Sequence, residues 1–297
     1  MVLYYALGGG LGHLARAKKV LRALGIDQFV VVTAEPQVPN ALFSPNELVI
    51  VPTAWSNSSE KLISFLADYI ELNRVEQMFV DTFPLGIVGE LWPGFDTLHI
   101  ELVYVARYLN WPKYADALEL SGKLEALHFD KCLVVDHLHT QQIEFIDSCC
   151  ESRQEQKLDH VHDQTDDSGV SADTSDGKWL IAHSKPVNEL SELLAYTRDI
   201  ASIEGESPNF LVCTAVAKSD LSAEFYADDV EIVSHYPVSV LFDRASRLIT
   251  ACGYNIMNET VPYAGKHHFL PFARRYDDQF LRAEIRRRQV TALGTGS

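Results

Sequence analysis

The stretch from Leu248 to Gln279 constrains this chain more than any other. Leu248-Ile249-Thr250-Ala251 is a short apolar run of the kind that forms a strand buried on both faces of a parallel sheet. Gly253 follows and lets the backbone turn tightly and approach a ligand closely. Asn255 is placed to cap a helix starting there, aiming free N–H groups and the positive dipole end beyond the strand. That outlines a pyrophosphate site, with Asn258 inside it. Glu259 lies one turn after Asn255 on the same side of the helix, where a carboxylate can accept both hydroxyl protons of a ribose. Tyr263-Ala264-Gly265-Lys266 continues the stretch and Leu270-Pro271-Phe272 closes a short strand. Asp278-Gln279 then opens another helix and offers groups suited to sugar hydroxyls.

The opening of the chain repeats the pattern. Val2 to Leu7 reads as a first strand; it is too short to span a bilayer and lacks the basic start of a signal peptide. Gly8-Gly9-Gly10-Leu11-Gly12-His13 follows, then a helix to about Leu24 with Leu14, Ala17, Leu21 and Leu24 on one face. Strand, Gly-rich turn and helix open a Rossmann-like unit. The turn does not have dinucleotide G-x-G-x-x-G spacing, and only Glu35, after the strand Phe29–Thr33, lies near where a ribose carboxylate would be needed. An NAD site stays a minor alternative. A neutral His13 can take the proton of an attacking hydroxyl, or it can simply close the helix start or touch phosphate. Arg16 comes one turn later.

Further strands are expected at Leu48–Val51, Met78–Asp81, Thr97–Val105 and Lys131–Asp136, with a helix from Ser58 to Asn73 whose inward side carries Leu62, Phe65, Leu66, Tyr69 and Leu72. Asp81 ends a parallel strand, where side chains point toward a ligand crevice. It can orient His13 as a carboxylate orients the base of a hydrolase triad, or it can serve as a helix cap or turn residue. Arg107 and Tyr108 are candidates for an acceptor pocket. His137 and His139 have a spacing that can suit a metal, but no third ligand has matching context, so they read as loop residues and no metal site is expected.

Residues 151–177 change character: seven Asp or Glu side chains among Ser, Thr, Gly and Gln, from Glu155 to Asp176, give a solvated acidic linker. The second half restarts with the strand Trp179–Ala182, a helix from Glu189 to Ile203 with Leu190, Leu193, Leu194 and Ile200 inward, and strands at Phe210–Thr214 and Val230–Val233. A short helix at Val238–Arg244 leads into the Leu248 strand. From Asp277 the last helix runs to Arg286-Arg287-Arg288, a basic run that complements the helix dipole and reads as a solvated face.

The 297 residues suggest about two domains. The formal charge of -16 argues against nucleic acid as a partner, which requires a basic face. Five cysteines without paired spacing suit reduced thiols in a cytoplasmic protein, with Cys132, Cys213 and Cys252 as small core residues. No stretch is long enough for a transmembrane segment.

Taken in order, Gly253, Asn255, Glu259, the Ala264-Gly265 pair, Pro271 and Asp278-Gln279 resemble the donor-sugar signature of GT-B glycosyltransferases that use UDP-sugars. The bacterial N-acetylglucosaminyltransferase of the peptidoglycan lipid intermediate and the macrolide and plant UDP-glycosyltransferases carry that signature. Gly10-Leu11-Gly12-His13 with Arg16 is similar to the first loop of those enzymes and of related UDP-sugar hydrolases. The chain departs from the signature at Gly265-Lys266-His267-His268, where Gly-Val-Pro or Gly-Lys-Pro is usual, and at Cys252-Gly253, where Gly-Gly is usual.

The resemblance implies an α/β chain of two Rossmann-like domains facing a cleft. Residues 1–150 would form the acceptor domain, 151–177 the linker and 178–297 the nucleotide-sugar donor domain with a closing helix. It implies inverting, metal-independent transfer from a UDP-sugar, with no cofactor besides the donor. His13 would be the base, assisted by Asp81. The donor would meet Gly10, Gly12, Arg16, Val233, Gly253, Asn255, Asn258, Glu259, Phe272, Asp278 and Gln279, with Val233 at the nucleobase. The acceptor, whether small molecule, glycan or lipid-linked, would be set by loops near Trp55, Trp92 and Trp111. Two alternatives remain: a nucleotide-sugar hydrolase of the nonulosonate-pathway type, in which His13 would activate water, and a non-catalytic nucleotide-sugar-binding subunit, which would keep Glu259 and the Asn255 helix but not need His13. A UDP-sugar 2-epimerase is a more distant option, because that family's carboxylate set is not seen.

Overall fold

A computed structural model describes residues 1–294 except Gly9, Thr53, Ser56, Asn57, Pro93, Phe95, Asp96, 120–126 and 159–170, with side chains up to Gln289. Contacts divide the chain into two compact units: residues 1–159 with 275–277, and residues 160–274 with 278–297.

The first unit runs β1 (Val2–Tyr5), α1 (Leu11–Ala23), β2 (Phe29–Thr33), β3 (Leu48–Ile50), α2 (Ser59–Asn73), β4 (Gln77–Asp81), β5 (Glu101–Ala106), α3 (Trp111–Leu118), β6 (Lys131–Val134), α4 (Thr140–Cys149) and β7 (Arg153–Glu155). Its seven strands are all parallel, in the order β3-β2-β1-β4-β5-β6-β7. The apolar runs explain the order: β1, β4 and β5 are buried on both faces and lie in the middle, whereas β7 is exposed and lies at the edge. Tyr4 of β1 stacks on Phe79 of β4 with ring centroids 5.8 Å apart. Helix α1 buries Leu14, Ala17 and Leu21 as its periodicity predicts.

Several expectations are corrected. Leu72 is 83% exposed; α2 buries Leu62 and Leu66 as expected, packs Phe65 and Tyr69 against the core, and turns Ile70 inward in place of Leu72. Helices α3 and α4 occupy stretches read as loops. Asn110 caps α3, its side chain accepting from Lys113 N, and Trp111 is the first helical residue, with its indole in the core rather than in an acceptor loop. His139 caps α4 through Nδ1, which accepts from Gln141 N at 3.3 Å, while His137 Nδ1 lies 2.8 Å from Asp136. Within the acidic stretch 151–177, Arg153–Glu155 is a strand and Ala172–Ser175 a 3-10 turn anchored by Ser175 Oγ, which donates to Leu241 O. Residues 159–170 of that stretch lie outside the described residues.

The second unit runs β8 (Trp179–Ala182), α5 (Val187–Glu204), β9 (Phe210–Cys213), β10 (Val230–Val233), β11 (Arg247–Ala251), α6 (Tyr254–Glu259), β12 (His267–Leu270) and α7 (Gln279–Gly294). Its five parallel strands lie in the order β10-β9-β8-β11-β12. The segment Val238–Leu241 is a 3-10 turn, shorter than the helix expected there. The arginine run is internal to α7, and Arg286 is buried rather than solvated, donating to Met257 O. Both sheets therefore reverse strand order beside their first strand, and in such sheets ligands bind beyond the carboxyl ends of the strands at that switch point. Among the described residues no helix is long and apolar enough to cross a membrane.

Candidate active site

At the switch point of the first sheet, the loop after β1 meets the end of β4. Asp81 is the last residue of β4 and His13 lies in the first turn of α1. Their side chains touch: His13 Nδ1 is 2.5 Å from Asp81 Oδ2. Asp81 also accepts from Tyr4 Oη at 2.9 Å and from Arg16 Nε at 2.7 Å, both on Oδ1, and from Arg16 Nη2 on Oδ2. Asp81 is thus not a helix cap; it is the centre of a buried network that sequence spacing left undecided.

The chemistry of the imidazole follows from its partner. A carboxylate only accepts, so Nδ1 carries the proton and Nε2 keeps its lone pair. Burial lowers the His13 pKa, and the bond to Asp81 offsets this only in part. At neutral pH the ring is therefore neutral and can act as a base. Burial alone would raise Asp81, but Arg16 and His13 outweigh it and hold the carboxyl well below the usual carboxylate range.

Three further residues shape the site. Gly8 lies under the ring: a Cβ there would sit 2.0 Å from His13 Nε2 and 2.1 Å from Cδ2, so glycine is required for the imidazole to occupy its place. Phe83 stacks on the His13 ring, with centroids 5.7 Å apart. Thr82 has φ 66°, a left-handed conformation that costs a β-branched residue about 1–3 kcal/mol. Its neighbours hold it there: Tyr104 Oη donates to Thr82 O at 2.8 Å, Thr82 N donates to Val105 O, and Thr82 Oγ1 accepts from Arg16 Nη2 at 2.7 Å. The turn thereby aims Asp81 at His13. Tyr4 and Thr82 carry no sequence signal beyond adjacency to strand ends; Gly8 is in the legible Gly-rich loop, but its role is visible only in space.

Other expectations for this unit change. Arg16, read as facing the donor, is 2% exposed and binds Asp81 and Thr82. Arg107 is buried, with Nε 3.3 Å from Thr82 Oγ1 and Nη1 3.3 Å from Asp277 Oδ1, so it braces the same turn rather than lining an open pocket. Gly10 has φ 80° and immediately precedes α1, and Gly12 lies in its first turn. Glu35 is buried beyond β2, its N–H bonded to Thr33 Oγ1.

In the second unit, α6 starts directly after Gly253, which is its N-cap; Asn255 is already helical rather than the cap. Gly253 has φ -66°, and among the described residues a Cβ would meet only Ile256 at 3.8 Å, so none of them demands glycine there. Asn255, Asn258 and Glu259 are half-buried on α6, and Val233 ends β10, also half-buried. Gln279 and Phe272 are buried. Gln279 Oε1 accepts from Cys252 N at 3.2 Å and Phe272 N at 3.0 Å, tying the turn after β11 to the segment after β12. Asp278 is the cap here: its Oδ1 accepts from Leu281 N at 2.9 Å. Both residues therefore spend acceptors on the backbone, and the Phe272 ring packs in the core beside His183. Beyond β8, His183 Nε2 lies 3.1 Å from Glu189 Oε2, and Arg274 pairs with the same carboxylate. This trio was not expected from the sequence, since Arg274 lies 85 residues along the chain from Glu189.

The two parallel sheets, each wound around its first strand, define the chain as an α/β protein of GT-B type. Solved structures of that class align over nearly the whole chain. The glycotransferase of kitacinnamycin shares 12% identity with a TM-score of 0.58, covering 96% of this chain and 83% of its own. The S. aureus MnaA–UDP co-structure shares 11% identity with a TM-score of 0.59, covering 92% and 79%. The Methanocaldococcus jannaschii UDP-GlcNAc 2-epimerase, in complex with UDP-GlcNAc and UDP, shares 11% with a TM-score of 0.54 over 100% of both chains. No family model and no curated protein matches the sequence.

Proposed function

We propose that this protein is a glycosyltransferase that moves a sugar from a UDP-sugar to an acceptor hydroxyl, with inversion and without a metal ion. The observation that carries the reading is the His13–Asp81 pair at the switch point of the first sheet. An acceptor O–H would donate to His13 Nε2, and the ring would take the proton as the oxygen attacks the anomeric carbon. Asp81 would steady the imidazolium that forms, and Arg16 keeps that carboxylate ionised. Glycine at position 8 leaves room for the ring.

The second unit would hold the nucleotide. Glycine at 253, which the chain's own packing does not require, suits close approach of a diphosphate to the turn after β11. Glu259 would take the ribose hydroxyls. Gln279 and Asp278 act indirectly, by fixing the turns around that place, and Phe272 belongs to the core beneath it.

The test is to incubate the protein with UDP-, GDP- and dTDP-sugars, with and without EDTA, following nucleotide and free sugar. Donor binding insensitive to EDTA, with slow turnover that His13→Ala abolishes, supports the transferase. Fast release of free sugar without acceptor would point to the hydrolase instead. Binding without any turnover would indicate a nucleotide-sugar-binding subunit, and no binding of any nucleotide sugar refutes the proposal.

A further inference from the structure

Phe129 and Cys150 form a parallel bridge just ahead of β6 and β7. Phe129 N donates to Cys149 O at 2.8 Å and Glu151 N donates to Phe129 O at 3.1 Å, so the leads into the two strands are pinned side by side. Phe129 and Cys150 both pack on the core. Neighbours in extended chain alternate sides, so His128, Asp130 and Glu151 stand together on the other side. There their ligating atoms converge: one atom from each lies within 4.8 Å of the other two, a meeting of three made nowhere else among the described residues.

The donor set is mixed, one imidazole with two carboxylates. Asp130 is held from behind: its N–H donates to Leu102 O at 3.0 Å, and one carboxylate oxygen accepts from Leu102 N at 2.7 Å. The other oxygen keeps its lone pairs, and a backbone bond of this kind is what orients a ligating carboxylate. His128 Nε2 lies 3.3 Å from Glu151 Oε1. That is longer than the roughly 2.7–2.9 Å of a charge-assisted hydrogen bond. It matches the edge, about 3.3–3.4 Å, of a tetrahedron around an ion with bonds of about 2.0–2.1 Å. The His128 and Glu151 side chains are 63% and 65% exposed, so an ion can enter and both can close on it. Lys131 and Arg153, the nearest cations along the chain, pair with Glu101 at 2.6 Å and with Asp147 at 2.8 Å. Those pairs balance themselves, and the charge of Asp130 and Glu151 matches a divalent ion.

We propose that His128, Asp130 and Glu151 bind a zinc ion, with water from the open side as fourth ligand. An imidazole with carboxylates suits zinc better than the all-oxygen sets that calcium and magnesium take. The site lies at the amino ends of β6 and β7, whereas His13 and Asp81 lie at the carboxyl end of the same parallel sheet. The ion is therefore structural and takes no part in sugar transfer. It ties the lead into β7, the exposed edge strand, to the lead into β6.

The test is a calorimetric titration of the reduced, metal-free full chain with Zn²⁺, paired with thermal unfolding with and without the ion. The expected result is saturation at one ion per chain and a raised melting temperature, both reversed by EDTA. His128→Ala and Glu151→Gln change exposed side chains and should fold like the parent. Each should weaken binding by more than ~100-fold, since changes to the partners of ligands already cost about 10–100-fold, and each should remove the shift in melting temperature. His137→Ala and Cys150→Ser should leave the titration as it is. No binding at one equivalent, binding within twofold of the parent in His128→Ala, or binding that is lost with Cys150→Ser instead would overturn the site.

Discussion

Gly8→Ala is the smallest change that reaches the base. The added Cβ would lie 2.0 Å from His13 Nε2, 2.1 Å from Cδ2 and 2.3 Å from Cε1. Carbon needs about 3.5 Å to its neighbours, so the ring has to retreat by more than ~1 Å. Phe83 stacks on the ring and Asp81 holds Nδ1 at 2.5 Å, so a retreat breaks one contact or the other. Overpacking of this kind costs about 1–3 kcal/mol of stability. A 1 Å misplacement of a reacting group costs on the order of 100-fold in rate. The discriminating experiment is a double-mutant cycle. Gly8→Ala in a His13→Ala background meets no ring, so it should cost under about 0.5 kcal/mol by denaturant unfolding, giving a coupling of about 1–3 kcal/mol. Turnover of the productive nucleotide sugar should fall on the order of 100-fold in Gly8→Ala alone. Additive stabilities, or a single variant with turnover within twofold of the parent, would refute the placement of His13 on Gly8.

Asp81→Asn keeps the shape but leaves the buried Arg16 guanidinium without its carboxylate, and should cost about 3–5 kcal/mol in urea unfolding; a change below 1 kcal/mol would show that Arg16 is not truly desolvated. Both His13 and Asp81 have folded pKa values below their ordinary ones, so each contributes stability that is complete above its unfolded value and lost as pH falls. His13's contribution should decline below about 6.5 and Asp81's below about 3.8, measurable as falling melting temperature, with smaller losses in His13→Ala. For the same reason the rate should stay level from pH 6.5 upward, its acidic limb lying below the value of a free histidine; a limb centred at or above 6.5 would contradict a neutral buried base. Gln279→Ala removes the acceptor shared by Cys252 N and Phe272 N, and should cost about 1–3 kcal/mol and weaken nucleotide binding; unchanged binding would separate that turn from the donor.

Much of this protein is determined by sequence alone. Short apolar runs ending in Gly, Asp or Pro define parallel strands because both faces of such strands must be buried, and strand–turn–helix repeats define the two α/β halves. The Gly-rich loop, His13 and Asp81 are legible for the same reason, since they follow strand ends. Helices α3 and α4 are not: Trp111-Pro112 and His139-Thr140 carry weak helix signals, and their stability comes from packing on the sheet rather than from propensity. β7 is equally silent, because an exposed edge strand has no apolar pattern to read.

Tertiary structure alone decided which polar residues work together. Arg16 and Arg107 have the composition of ligand contacts, yet the fold spends both on the turn that carries Asp81. Asp278 and Gln279 look like sugar ligands and turn out to hold backbone. Tyr4 reaches Asp81 only because β1 lies beside β4, and Tyr104 holds Thr82 only because β5 lies on the other side of β4. Periodicity reports which face of an element is buried. It carries no information about which distant element that face meets, and hydrogen bonds and ion pairs depend on that meeting.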